Sequence, residues 1–219
     1  MRKVPFVIAI DGPAAAGKGT LARRLAAAFG FAYLDTGALY RGVALSLLHA
    51  GNAAPTESDA AKAALRLDYG LLSDPDLRRE ATGNLASVVA AMPAVRAALD
   101  AFQRRFAEEP PAGAPGAVID GRDIGTVICP TAPVKLFLTA SVAARADRRR
   151  LELEAKGERA DLARISAEIE ARDARDASRA AAPLKAAADA HLLDTSDLGI
   201  EDVFMKAKAI IETALTARD

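Results

Sequence analysis

Gly12-Pro13-Ala14-Ala15-Ala16-Gly17-Lys18-Gly19-Thr20 has the composition of a cradle for phosphate. It follows the apolar run Val4–Ile10 and precedes a stretch in which Leu21, Leu25 and Phe29 recur at helical spacing before Gly30. That strand–loop–helix setting is the one the G-x-x-x-x-G-K pattern requires. Gly12 and Gly17 let the backbone curl so that successive N–H groups converge on a β-phosphate, and the helix start adds partial positive charge. Lys18 can span the β- and γ-phosphates and follow the γ-group during transfer. Gly19 stands directly after Lys18, with Thr20 behind it. The usual hydroxyl ligand for Mg²⁺ is thereby displaced by one position, so the ion is expected to be held mainly through phosphates and water, with no metal ligands from the protein.

Three further groups carry anion or base chemistry. Thr36 and Arg41 lie on the segment after Asp35, where a helix start again offers N–H groups to an anion. Asp35 or Thr36 could equally cap that helix, and Arg41 could be a solvated surface residue. Gly121-Arg122-Asp123 follows an apolar strand; the two charges could meet ligands or form a buried pair that holds the loop. Arg172, Asp176 and Arg179 are spaced to share one helical face, which also describes an ordinary ion-pair ladder.

These residues need elements to hold them. Besides Val4–Ile10, the stretches Phe31–Leu34, Ala117–Asp120, Val134–Leu138 and His191–Leu193 read as short strands. Helical patterns cover Ala38–Leu48, two or three segments between Ala60 and Glu109, Ser141–Gly157, residues 162–182 and Ile200–Ala217. Pro110–Gly116 is the best internal boundary. Alternation of strand and helix predicts an α/β fold: a three-layer phosphate-loop architecture with a central parallel sheet. Ligands in such folds sit beyond the carboxyl ends of the strands, where Asp11–Thr20, Asp35–Arg41, Asp120–Gly125 and Asp194–Ser196 all fall.

Composition narrows the partners. The 219 residues include 29 basic and 29 acidic side chains, so no charge surplus points to nucleic acid or an anionic membrane. Lone Cys129 cannot form an internal disulfide, and no Cys/His set has metal-ligand spacing. The N-terminal apolar run is too short for a membrane span and reads as a buried strand. A soluble, cytoplasmic monomer is expected.

A switch GTPase would carry an Asn-Lys-x-Asp stretch, but neither Asn52 nor Asn84 precedes a lysine. A motor ATPase would want a larger assembly surface. A small-molecule kinase suits the chain better.

Gly12–Thr20, Leu34–Arg41, Asp120–Gly125 and Arg172–Arg179, in this order along nearly the whole chain, resemble bacterial cytidylate kinase. The resemblance implies ATP-dependent phosphorylation of CMP and dCMP in pyrimidine nucleotide metabolism. Alternatives are a kinase for UMP, AMP or shikimate, or a silent ATP-binding regulator. It implies one kinase domain over residues 1–219, with a monophosphate-binding insert at about 37–96 and a mobile lid at about 147–165. The stretch between Leu67 and Ser87 is short for the family, so the insert is expected to be mainly helical. In the donor site, Gly12 to Thr20 would hold ATP. In the acceptor site, Thr36, Arg41, Ser87, Arg96, Arg122, Asp123, Arg172, Asp176 and Arg179 would hold CMP, with Asp123 on the base and Asp176 on the sugar. Lys18, Arg122 and Arg179 would carry catalysis, and Arg148, Arg149 and Arg150 are candidates for ATP-phosphate contact.

Overall fold

The computed structural model describes residues 4–155, 157–179 and 182–218. Five parallel strands form one sheet: β1 (Phe6–Asp11), β2 (Ala32–Asp35), β3 (Gly116–Gly121), β4 (Val134–Thr139) and β5 (His191–Asp194), in the order β2-β3-β1-β4-β5. β1 and β3 run in register from Phe6 opposite Gly116 to Asp11 opposite Gly121. The first strand starts later than the sequence pattern implies. Val4 is exposed and Pro5 has no N–H to donate, so pairing begins near Phe6, whose N–H donates to the Pro115 carbonyl.

Both faces of the sheet are covered, as near-continuous apolar strands demand. On one face lie α1 (Lys18–Phe29) and α8 (Ile200–Thr216), packed through Leu21, Leu25, Val203 and Ile211 onto Ile8, Ile10 and Leu136. On the other lie α2 (Thr36–His49), α4 (Glu80–Val89) and α5 (Pro93–Glu108), with Leu39, Val43, Val89 and Leu99 over Ala9, Ala117 and Ile119. Between β2 and β3 the chain also forms α3 (Glu57–Leu65) and three short 3₁₀ turns, with no strand among the described residues.

α6 (Val142–Glu154) and α7 (Leu162–Ala177) form an antiparallel pair whose apolar contact is a small cluster centred on Ala146, Ile165 and Ile169. The expected helices here were longer. α6 ends before Gly157, which has a positive φ of 75°, and α7 stops with Ser178 as its cap, short of Pro183. Residues 156, 180 and 181 of those expected helices lie outside the described residues. No single helix among the described residues is long and apolar enough to cross a membrane.

Candidate active site

Each informative stretch begins where a strand ends. β1 finishes at Asp11, and the chain turns sharply at Gly12, where an added Cβ would lie 2.2 Å from the Leu138 carbonyl oxygen of β4. Only glycine fits that approach. Gly17, at φ 88°, then opens α1. Lys18 is almost fully buried and donates to the Pro13 carbonyl at 2.7 Å, so its ammonium folds back over the loop. Burial, then repulsion from Arg122, draws its pKa down to about 7. An arriving phosphate reverses that balance and favours the charged form.

Asp11 and Asp120 stand at the ends of adjacent strands, and both are buried. Asp11 accepts from the backbone N–H groups of Ile124 and Gly125 at 2.8 and 2.7 Å, fixing the loop that carries Arg122 and Asp123. Burial pushes its carboxyl up to about 6. Asp120 is raised similarly by burial and then by Asp35, and accepts from the Tyr33 hydroxyl at 3.1 Å.

α2 begins directly where β2 ends. Asp35 is the cap, accepting from the Ala38 N–H at 3.0 Å; Thr36 instead donates its hydroxyl to the Asp120 carbonyl at 2.8 Å. Arg41 is no free surface residue. It passes beside Gly83 of α4 and donates to the Leu77 carbonyl at 3.1 Å.

Arg122 and Asp123 do not pair with each other. Arg122 Nε donates to Asp176 at 2.9 Å, while Asp123 receives Arg96 from α5. Arg179 also reaches Asp176, but from beyond the end of α7, so the helical-face reading holds only for Arg172 and Asp176. Ser87 is buried and receives the Arg175 Nε at 3.4 Å. Among the described residues, Nε of Arg172 and of Arg179 and the Tyr40 hydroxyl are buried without a partner. Unmet cationic donors in a cleft are an open invitation to an anion.

Two cavities result. Lys18, Thr20, Asp35, Arg41, Asp120, Arg122 and Arg172 line one; Thr36, Ser87, Arg96, Arg122, Asp123, Arg172, Asp176 and Arg179 line the other. Arg122, Arg172, Gly37 and Gly121 belong to both, so the hollows share a wall. All nine acceptor-site residues expected from the sequence line one or both.

The three candidate arginines of α6 separate into two environments. Arg148 donates to the Thr195 hydroxyl at 3.0 Å and to its carbonyl, beside an apolar hollow lined by Ala15, Thr20, Leu138 and Val203. Arg149 and Arg150 pair with acids on their own helix, Glu152 for the former and Asp147 and Glu154 for the latter. The buried arginine of α6 is Arg145, which the sequence reading passed over. It lies on the helix stripe shared with Val142 and Ala146, the signal that could have singled it out.

The cytidylate kinase family model matches residues 8–213. The chain belongs to the cytidylate kinase family. A cytidylate kinase of Rhodopseudomonas palustris (strain BisB18) is 56% identical over 213 residues, covering 97% of this chain and 99% of the relative. One of Afipia carboxidovorans is also 56% identical, over 97% of this chain and 100% of its own. Among solved structures, a gluconokinase from Sinorhizobium meliloti superposes with a TM-score of 0.53 at 14% identity, covering 99% of this chain and 98% of that one. That likeness shows the phosphate-loop kinase fold of the family member and nothing of its substrate.

Proposed function

We propose that this family member transfers the γ-phosphoryl group of ATP to CMP, and to dCMP, giving ADP and the diphosphate. The observation that carries the reading is the shared wall: Arg122 and Arg172 line the Lys18 hollow and the Asp123 hollow alike. Donor and acceptor phosphates held on the two sides meet at those guanidiniums.

The chemistry asks for little covalent help. An acceptor phosphate is already an anionic nucleophile at neutral pH, its second pKa being about 6. The barrier lies in bringing two polyanions into line, which Lys18, the loop N–H groups, Arg41, Arg122, Arg172 and Arg179 offset. At the base end, Asp123 would accept from the exocyclic amine of cytosine, with Arg96 and Ser87 on its acceptor edge. Uracil presents an oxygen there, and a carboxylate facing it loses its donor. Asp176 would accept from the sugar hydroxyls.

Asp35 and Asp120, all-oxygen donors on the wall of the Lys18 hollow, suit Mg²⁺ with most of its water shell retained. Bound to ATP, the ion would neutralise charge on the β- and γ-phosphates. Residues at about 37–96 act as the monophosphate-binding insert and those at about 147–165 as a lid over ATP. The single chain supplies both subsites, which supports a monomer, and the lone buried thiol of Cys129 suits the cytoplasm.

A coupled assay of ADP release against a panel of nucleoside monophosphates tests the reading. CMP and dCMP should be preferred acceptors; ADP release indifferent to acceptor would mean an ATPase instead.

A further inference from the structure

Arg145 occupies an unusual place. It is an arginine with only 4% of its side chain exposed, outside both phosphate hollows, yet it touches three elements. Its Nε donates to the Ala140 carbonyl at 3.0 Å, next to the start of its own helix. Its Nη1 reaches the Ala14 carbonyl, inside the phosphate loop, at 3.3 Å. Both terminal nitrogens meet Asp173 of α7 as a fork, at 3.0 and 2.6 Å.

The consequence follows from peptide geometry. In a planar trans unit the carbonyl and the next N–H point opposite ways. Holding the Ala14 oxygen toward Arg145 therefore turns the Ala15 N–H away from it. Ala15 lies on the wall of the Lys18 hollow and takes a positive φ of 59°, a conformation that needs outside support in a residue other than glycine. At the other end, Asp173 adjoins Arg172 in the shared wall and lies three residues before Asp176. One guanidinium thus links the loop that would hold ATP to the helix that would hold the acceptor.

We propose that Arg145 and Asp173 are a positioning pair that couples the donor and acceptor subsites, so that ATP tightens CMP binding and CMP tightens ATP binding by the same factor. The inference rests on the reading of the two hollows given above. An ion pair this buried is specific in geometry: lysine offers one point charge where the fork makes two bonds, and asparagine removes the charge but keeps the shape. Coupling between sites of this kind spans about 5- to 150-fold.

Calorimetric titration of CMP, with and without a non-hydrolysable ATP analogue and Mg²⁺, measures the coupling without turnover. The wild type should bind CMP at least ~5-fold more tightly with the analogue present. In Arg145→Lys and Asp173→Asn that ratio should fall toward one, while the affinity for CMP alone changes by less than about threefold. Unchanged ratios in both variants, or a ratio near one in the wild type, would overturn the proposal. Hydrogen exchange on the wild type needs no variant to fold. The analogue alone should slow exchange of the α7 amides from Asp173 to Ala177, and no change there sinks the relay. A wild type that binds the analogue and protects α7 but ignores CMP would instead refute the CMP reading and leave the relay standing.

Discussion

The Arg96 guanidinium rests on the Asp123 carboxylate with both side chains nearly sealed, at 6% and 7% exposure. The hollow around Asp123 is thus charge-neutral at the Arg96–Asp123 end and cationic at the other, where Arg122, Arg172 and Arg179 outnumber Asp176. Burial raises the Asp123 pKa, and the Arg96 charge beside it opposes the rise.

Asp123→Ala should erase the preference for cytosine over uracil. The ratio of kcat/KM for CMP to that for UMP should drop by at least ~10²-fold, within the range that buried hydrogen-bond readout supports. Titration of an ATP analogue should remain near wild type. A variant that still favours CMP as strongly removes Asp123 from the base end.

Loss of the Lys18 charge acts on the other hollow. Lys18→Met should lower kcat by ~10²-fold or more, the scale of one preorganised electrostatic donor. Its far-ultraviolet circular dichroism should match wild type, since Lys18 has an apolar stem in α1 and one internal bond, to Pro13.

Gly83→Ala separates function from folding. The new Cβ would lie 2.9 Å from one Arg41 terminal nitrogen and 3.0 Å from the other. A flexible side-chain end yields easily, so the melting temperature should stay within a few degrees. The displaced guanidinium should raise KM for CMP about 10-fold, as for one charged hydrogen bond. An unchanged KM would mean that Arg41 does not touch the acceptor.

Asp11 gives the apo protein a pH signature. Its carboxyl titrates near 3.8 when unfolded and at about 6 when folded. Between those values the folded state keeps a proton that the unfolded chain has lost, so stability falls as pH rises through the window, by about 3 kcal/mol at most. Asp120 shifts in the same direction. Asp176 is held down by Arg122 and Arg179, so its contribution is lost only below the ordinary aspartate range. Urea midpoints should therefore be higher near pH 5 than near pH 7.5. Asp11→Asn should flatten that slope while lowering stability overall, because the amide nitrogen that replaces one carboxylate oxygen would face one of the two N–H groups, from Ile124 and Gly125, that each bond a separate oxygen. A slope identical to wild type would show that the Asp11 proton plays no part.

What the sequence made legible was what local pattern dictates. Apolar runs ending in Asp11, Asp35 and Asp120 located strand ends, and Gly30 marked the stop of α1 as expected. The glycine spacing of the phosphate loop is a backbone requirement and so is visible in residue types. The pairing inside the cleft was not legible. Arg122 and Asp123 are adjacent, yet their partners come from 54 and 27 residues away, and nothing local records that choice. Arg145 hid among the arginines of an alanine-rich helix, where a buried fork and a solvated side chain look alike until the face of the helix is known. Strand order was equally silent, since every parallel crossover reads the same from its own residues.

Beyond the cleft, Arg164 of α7 reaches Glu80 at the start of α4 with more than half of each side chain in water. This exposed tie joins α7 to α4, and the mobile ions of the solvent compete for both of its ends. Raised ionic strength should loosen this link between α7 and α4, and dilute buffer should tighten it.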